Sequence, residues 1–137
     1  MSGVTRRMGS IKIWEVTLTV ATAATTATAT SDRMFAGYVR KIEIDPGTLS
    51  ASATIKGYEA STDLATGTRD HFMSYTVPNP AVEVCYYPLV ESSATNAGGA
   101  LTTKSSQAYC VCDYLKIDLA GANAADTVTI RVYVEGE

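Results

Sequence analysis

Apolar and polar residues alternate with a period of two wherever this chain shows regularity, and that period belongs to a half-buried β-strand. Over Thr127 to Val134 the alternation is complete: Val128, Ile130, Val132 and Val134 fall on one side, Thr127, Thr129, Arg131 and Tyr133 on the other. Upstream, Tyr109, Val111, Leu115, Ile117 and Leu119 share a parity that also holds Asp113, while Cys110, Cys112, Tyr114, Lys116 and Asp118 share the opposite one. The run from Ala120 to Asp126 consists of turn-forming residues, so these two strands are expected to lie side by side as a terminal hairpin. Near the other end, Trp14, Val16, Leu18 and Val20 align on one face but Ile11 and Ile13 on the other. A bulge, or a second buried face, between Ile13 and Trp14 would account for the switch.

Further strands are expected at Tyr38 to Asp45, with Tyr38, Ile42 and Ile44 in phase, and at Ala51 to Tyr58 across the turn Asp45-Pro46-Gly47. Two more fit His71 to Val77 and Val82 to Tyr87, separated by Pro78-Asn79-Pro80, which cannot continue a ladder. No window repeats apolar residues at helical spacing over three turns, so helix should be nearly absent. The pattern predicts an all-β fold of about seven or eight strands: an antiparallel two-sheet sandwich, jelly-roll-like, with a closed barrel as the competing arrangement. Val128, Ile130, Val132, Leu115, Ile117 and Leu119 should lie in its core.

A length of 137 residues suits one domain, read here as residues 11–137 preceded by an N-terminal arm over residues 1–10. Three stretches read as loops: Ala60 to Asp70, Glu91 to Ser106, and the uncharged Ala/Thr run from Ala21 to Thr30. That run is either an edge strand or connection lying flat on the body, or an arm that orders against a neighbouring subunit.

Charge narrows the partners. Eleven Lys and Arg against fourteen Asp and Glu give −3, and the basic residues are scattered, which argues against nucleic acid or an anionic membrane as the main partner. No run of about 18 apolar residues is present to span a membrane as a helix. Arg6-Arg7 and the stretch after it imitate a secretory leader, but Lys12 and Glu15 interrupt the would-be apolar segment. Cys85, Cys110 and Cys112 are odd in number, which fits reduced thiols and synthesis in a cytosolic compartment.

Candidate chemistry is sparse. His71 is the single histidine, and nothing in the spacing brings a nucleophile and an acid to it. Cys110-Val111-Cys112 places two thiols on one face of a strand about 6.5 Å apart, a spacing that chelates poorly, so small packing residues are the expectation and no metal site is assigned. The carboxylates show no glycosidase-like pair or calcium loop, and Gly98-Gly99 lacks the lysine of a phosphate loop. No cofactor and no catalytic residue are therefore expected. Trp14 and the tyrosines near loops, such as Tyr86-Tyr87, are either ordinary strand residues or a platform for sugar rings or a protein interface.

Phe35-Ala-Gly-Tyr-Val-Arg-Lys-Ile-Glu-Ile-Asp45, the Tyr86-Tyr87-Pro88 segment, and Tyr114 to Gly121 leading into Thr127 to Val134 together resemble the decoration or cement proteins of tailed-phage capsids. The resemblance implies an all-β virion subunit, made in the host cytoplasm and without active site or cofactor. Such a subunit binds the major capsid protein lattice as a homo-oligomer, a trimer at threefold positions, and stabilises the head. On that reading Val4, Arg6, Arg7 and Met8, with Thr25, Thr26 and Thr28, are the expected subunit or capsid contacts. The alternatives are another virion component, such as a head–tail or tail protein, and a carbohydrate-binding or adhesive β-sandwich using Trp14 and loop tyrosines.

Overall fold

The computed structural model describes residues 3–60, 71–91 and 106–136. Within them the chain is all β: β1 (Val4–Met8), β2 (Ile11–Thr19), β3 (Ala27–Asp45), β4 (Thr54–Glu59), β5 (His71–Thr76), β6 (Val84–Tyr86), β7 (Leu89–Glu91), β8 (Ser106–Ala120) and β9 (Thr127–Glu135). Hydrogen-bonded neighbours run β1-β2-β9-β3-β8-β4-β5, with β6 added to β3 and β7 to β8, and every pairing is antiparallel. The path ends at β1 and β5, so the sheet is open and the barrel alternative is excluded.

Strand β3 organises the whole. Its first part, Ala27 to Val39, pairs with β8, and its second, Tyr38 to Asp45, pairs with β9. Gly37 sits at the handover with φ +148, where a Cβ would lie 2.1 Å from the Glu135 carbonyl oxygen, so only glycine fits. Two irregularities adjust the strand. Between Thr30 and Met34 the chain bulges opposite Leu115, and the buried Ser31 hydroxyl closes the gap by accepting from the Leu115 N–H at 3.0 Å and donating to the Arg33 carbonyl at 2.7 Å. A second shift, between Val39 and Lys41, moves the inward positions from Phe35 and Val39 to Ile42 and Ile44.

That second bulge corrects one expectation: Tyr38 is out of phase with Ile42 and Ile44 and faces outward. Another correction concerns the ends of the chain. β8 and β9 form no hairpin, because β3 lies between them and β9 spends its edges on β2 and β3. The connection 121–126 instead crosses over the β2–β3 connection. Ala122 N–H donates to the Thr25 carbonyl at 3.1 Å, and Val20 and Ala125 exchange bonds with Asp126 and Val20 carbonyls at 2.9 Å.

Strand β2 runs without a bulge against both β1 and β9, so the Ile13–Trp14 switch is a second buried face. Trp14, Val16 and Leu18 enter the central core, whereas Ile13 is buried outside it. The core joins Val128, Ile130 and Val132 of β9 with Leu115, Ile117 and Leu119 of β8, as the alternation predicts, together with Phe35, Ile42, Ile44 and Ile55. Burying each such side chain contributes about 1.5–3 kcal/mol.

The segment expected as an N-terminal arm is, from Val4 to Met8, strand β1. It is joined to β2 by the two-residue turn Gly9-Ser10, with Gly9 at φ +62 as a type II′ hairpin needs at its first position. Of the Ala/Thr run, residues from Ala27 onward belong to β3, which lies between β9 and β8 in the strand order, so the edge-strand expectation is corrected: the run is part connection and part of a strand that lies inside the sheet order. The expected loops at 60–70 and 91–106 lie almost wholly outside the described residues.

Candidate interaction surface

Cross-strand register fixes which side chains share each outer face. On the β1-β2-β9-β3 side, one row carries Val4, Glu15, Arg131 and Glu43, and the next carries Arg6, Ile13, Tyr133 and Lys41. Opposite charges alternate along the first row, the second adds the cations Arg6 and Lys41, and the charges of the two rows engage one another. Arg131 Nε donates to Glu15, Arg6 reaches the same carboxylate at 3.8 Å, and the Tyr133 hydroxyl donates to Glu43. Lys41 lies 3.8 Å from Glu43 and 4.5 Å over the Tyr133 ring, while Arg40 donates to Glu135 at 2.7 Å. The bond to Glu43 is the main reason that the Tyr133 phenol is held above its ordinary pKa, and the bond to Glu15 does the same for the Arg131 guanidinium.

Beside this network opens a cleft of about 340 Å³ lined by Glu43, Ile44, Asp45, Glu83, Val84, Cys85 and Arg131. Its one cation is already engaged with Glu15, so its character is acidic. Among the described residues no three His, Cys, Asp or Glu side chains group as metal ligands.

The face formed by the first part of β3 and by β8 differs in kind. Three consecutive cross-strand pairs are Met34–Tyr114, Ala36–Cys112 and Tyr38–Cys110. Met34 is 55 % exposed, Tyr38 47 % and Tyr114 41 %, and both cysteines are exposed. None of the six carries a charge. The expectation that Cys110 and Cys112 are packing residues is thereby corrected: their parity opposes that of Val111 and Leu115, and the inward side of β8 is filled by the latter. Farther along the same face the residues become polar and paired, with Asp118 accepting from Thr28 Oγ1 at 2.9 Å and from the Tyr58 hydroxyl.

The neighbouring edge of β8 is closed by acids. β4 pairs with β8 from Ala120 to Leu115, and among the described residues no strand carries that pairing on toward Tyr109. There the Cys112 N–H donates to Glu59 Oε1 at 2.7 Å, the Tyr114 N–H to Asp113 Oδ1 at 2.7 Å, and the Ala60 N–H to the Tyr114 carbonyl at 2.8 Å. Side chains satisfying an open edge in this way remove a template for strand addition.

Among the expected contact residues, Val4, Arg6, Arg7 and Met8 are all exposed on β1, with Val4 at 60 % and Met8 at 68 %. Arg7 Nε donates to the Gly9 carbonyl. Thr25 and Thr26 are exposed in the turn before β3, and Thr28 is exposed on β3 itself. The two groups belong to different parts of the strand order, joined by a 2.6 Å bond from Thr5 Oγ1 to Asp32. Trp14 is fully buried, so it forms no part of a sugar platform. Met34, Tyr38 and Tyr114 escape the sequence reading. For Tyr38 the signal was masked by the bulge, and for Tyr114 its outward parity was the available clue. No protein-family model, curated protein or solved structure matches this chain.

Proposed function

We propose that this chain is a non-enzymatic assembly protein: a decoration subunit of a tailed-phage capsid that binds the major capsid protein lattice and reinforces the head. In this reading the open sheet folds over on itself as a jelly-roll-like sandwich, the protein is made in the host cytoplasm, and it ends on the virion surface. Homo-oligomers at threefold positions are what the resemblance assigns to it. The observation that carries the reading is strand β1. Among the described residues it ends the sheet with one edge unpaired, and it presents Val4 and Met8 to solvent on either side of Arg6. An exposed terminal strand with apolar side chains is a ready contact for a neighbouring subunit.

Mass spectrometry of purified virions tests the placement, and Val4→Asp with Met8→Asp tests the contact. The chain should be present in stoichiometric amounts, and the double variant should fold but detach from heads. Absence from particles, or heads that resist heat and osmotic shock equally well without it, would overturn the reading, and a positive glycan array would then favour the carbohydrate-binding alternative.

A further inference from the structure

We infer that the unpaired edge of β1 takes an extended acidic segment of a partner polypeptide as an added antiparallel strand, apolar at its two ends and carrying two consecutive carboxylates between them. The inference rests on the assembly reading above and names the chemistry of the partner that β1 meets.

Hydrogen bonding sets which groups are on offer. The two-residue turn Gly9-Ser10 closes on the Met8–Ile11 pair, whose members bond to each other, and alternation then makes Arg6–Ile13 and Val4–Glu15 the other bonded pairs. The N–H and C=O groups of Thr5 and Arg7 therefore point away from β2. Among the described residues no group engages them and no strand lies on that side. The strand is already held in place, because Thr5 Oγ1 donates to Asp32 at 2.6 Å and ties β1 to β3. Four backbone groups on a fixed edge are what strand addition uses for affinity, and the side chains beside them choose the partner.

Charge makes that choice. From Val4 to Trp14 the chain holds Arg6, Arg7 and Lys12 and no carboxylate. Arg7 stands directly across from Lys12, a like-charge pair of the kind that costs stability when left uncompensated. Neither has an ion pair among the described residues. Arg6 reaches Glu15 only at 3.8 Å, and that carboxylate is held by Arg131. Carboxylates opposite Arg6 and Arg7 meet one guanidinium on each side of the sheet, since successive side chains point to opposite faces. Val4 and Met8, exposed on the same face as Arg6, favour apolar residues opposite them. Along an added antiparallel strand the order is therefore apolar, acid, acid, any, apolar. The same charges turn away a second copy, because the twofold register that pairs all of β1 with itself sets Arg6 against Arg6.

A short peptide tests the partner chemistry. Thr-Val-Glu-Glu-Thr-Val-Thr, with fluorescein at its N-terminus and an amide at its C-terminus, is titrated with the intact chain up to about 1 mM, the weak end of measurable association, and followed by fluorescence anisotropy. It should bind saturably, and the same peptide with lysines in place of both glutamates should bind at least tenfold more weakly. Methylating the backbone nitrogens of the first glutamate and of the central threonine, which face Arg7 and Thr5, keeps the charge but removes the ladder, and should also cost at least tenfold. Arg6→Glu with Arg7→Glu should reverse the preference between the glutamate and lysine peptides, with circular dichroism confirming the fold; should that variant not fold, the peptide series on the intact chain decides. No saturable binding, equal binding of the glutamate and lysine peptides, binding indifferent to methylation, or an unreversed preference in the folded variant overturns the inference. These measurements use the isolated chain, so they are independent of whether the protein is found on virions.

Discussion

The two outer faces of this protein are built on the same strand, β3, and on the same alternation, yet they are finished differently. On the β1-β2-β9 side the outward charges are spent on one another, largely between neighbouring rows: Glu15 on Arg131 and Arg6, Glu43 on Tyr133 and Lys41. On the β8 side, three successive pairs carry no charge of their own, and Arg40, which lies 5.5 Å over the Tyr38 ring, is itself paired with Glu135. A face whose polar groups are mutually satisfied is already complete in the monomer. An uncharged one gains by being covered, because its area is removed from water at little electrostatic cost.

Breaking the common support should have the largest effect. Ile130, fully buried in β9, underlies the charged face, and Ile130→Asp places an unpaired charge in the shared core at a cost of several kcal/mol against a total of about 5–15. We expect no folded protein, measured by loss of the far-ultraviolet β-sheet signal. A cooperative unfolding transition at the wild-type midpoint would contradict the assignment of the core.

Gly37 is next, since it lies where β3 passes from one face to the other. Gly37→Ala forces a Cβ against the Glu135 carbonyl and should destabilise by at least about 3 kcal/mol in urea unfolding. Because the strain sits at the handover, it should disturb both faces together. A variant as stable as the parent would mean that the strand does not cross there.

A smaller effect separates the faces by pH. The folded-state pKa of Tyr133 is raised above its ordinary value near 10, chiefly by the bond to Glu43. Its protonated form is therefore favoured by folding, and the associated stabilisation is fully present below pH 10 and lost as pH rises through the raised value. Tyr133→Phe should remove this alkaline loss while changing neutral stability by no more than about 1 kcal/mol, as for other exposed polar pairs. Chemical denaturation at pH 8 and pH 11 reads both, and an unchanged alkaline loss in the variant would show that the network on this face does not titrate through Tyr133.

Much of the fold was legible as a pattern, and what was illegible has physical causes. The strict alternation of Val128 to Val134 and of Leu115 to Leu119 gave the core directly, since a half-buried strand permits no other phase. Strand order was hidden because pairing is set by contacts far apart in sequence. Nothing local to 120–126 says that β3, some eighty residues earlier, will separate β8 from β9. Bulges defeat parity, and the one before Lys41 turned Tyr38 outward. The Ala/Thr stretch concealed the start of β3 because small residues on both faces leave no alternation to see. The turn Gly9-Ser10 between β1 and β2 was a hairpin signal that the reading of residues 1–10 as an arm passed over. Candidate contacts on β1 were chosen because that segment carries few charges or little independent structure, whereas the β3–β8 patch needed the pairing register before its six residues could be seen as neighbours.

The thiols report on both regions at once, because Cys85 lines the acidic cleft on the charged side and Cys110 and Cys112 lie on the bare one, all three exposed. Their rates of alkylation by iodoacetamide in the native protein, followed by mass spectrometry and compared with the rates in urea, therefore test the two faces most directly. Cys85, Cys110 and Cys112 should all react in the native state at rates close to those of the unfolded chain, because all three are exposed. Strong protection of Cys110 and Cys112 in the folded chain would contradict the outward phase given to them on β8.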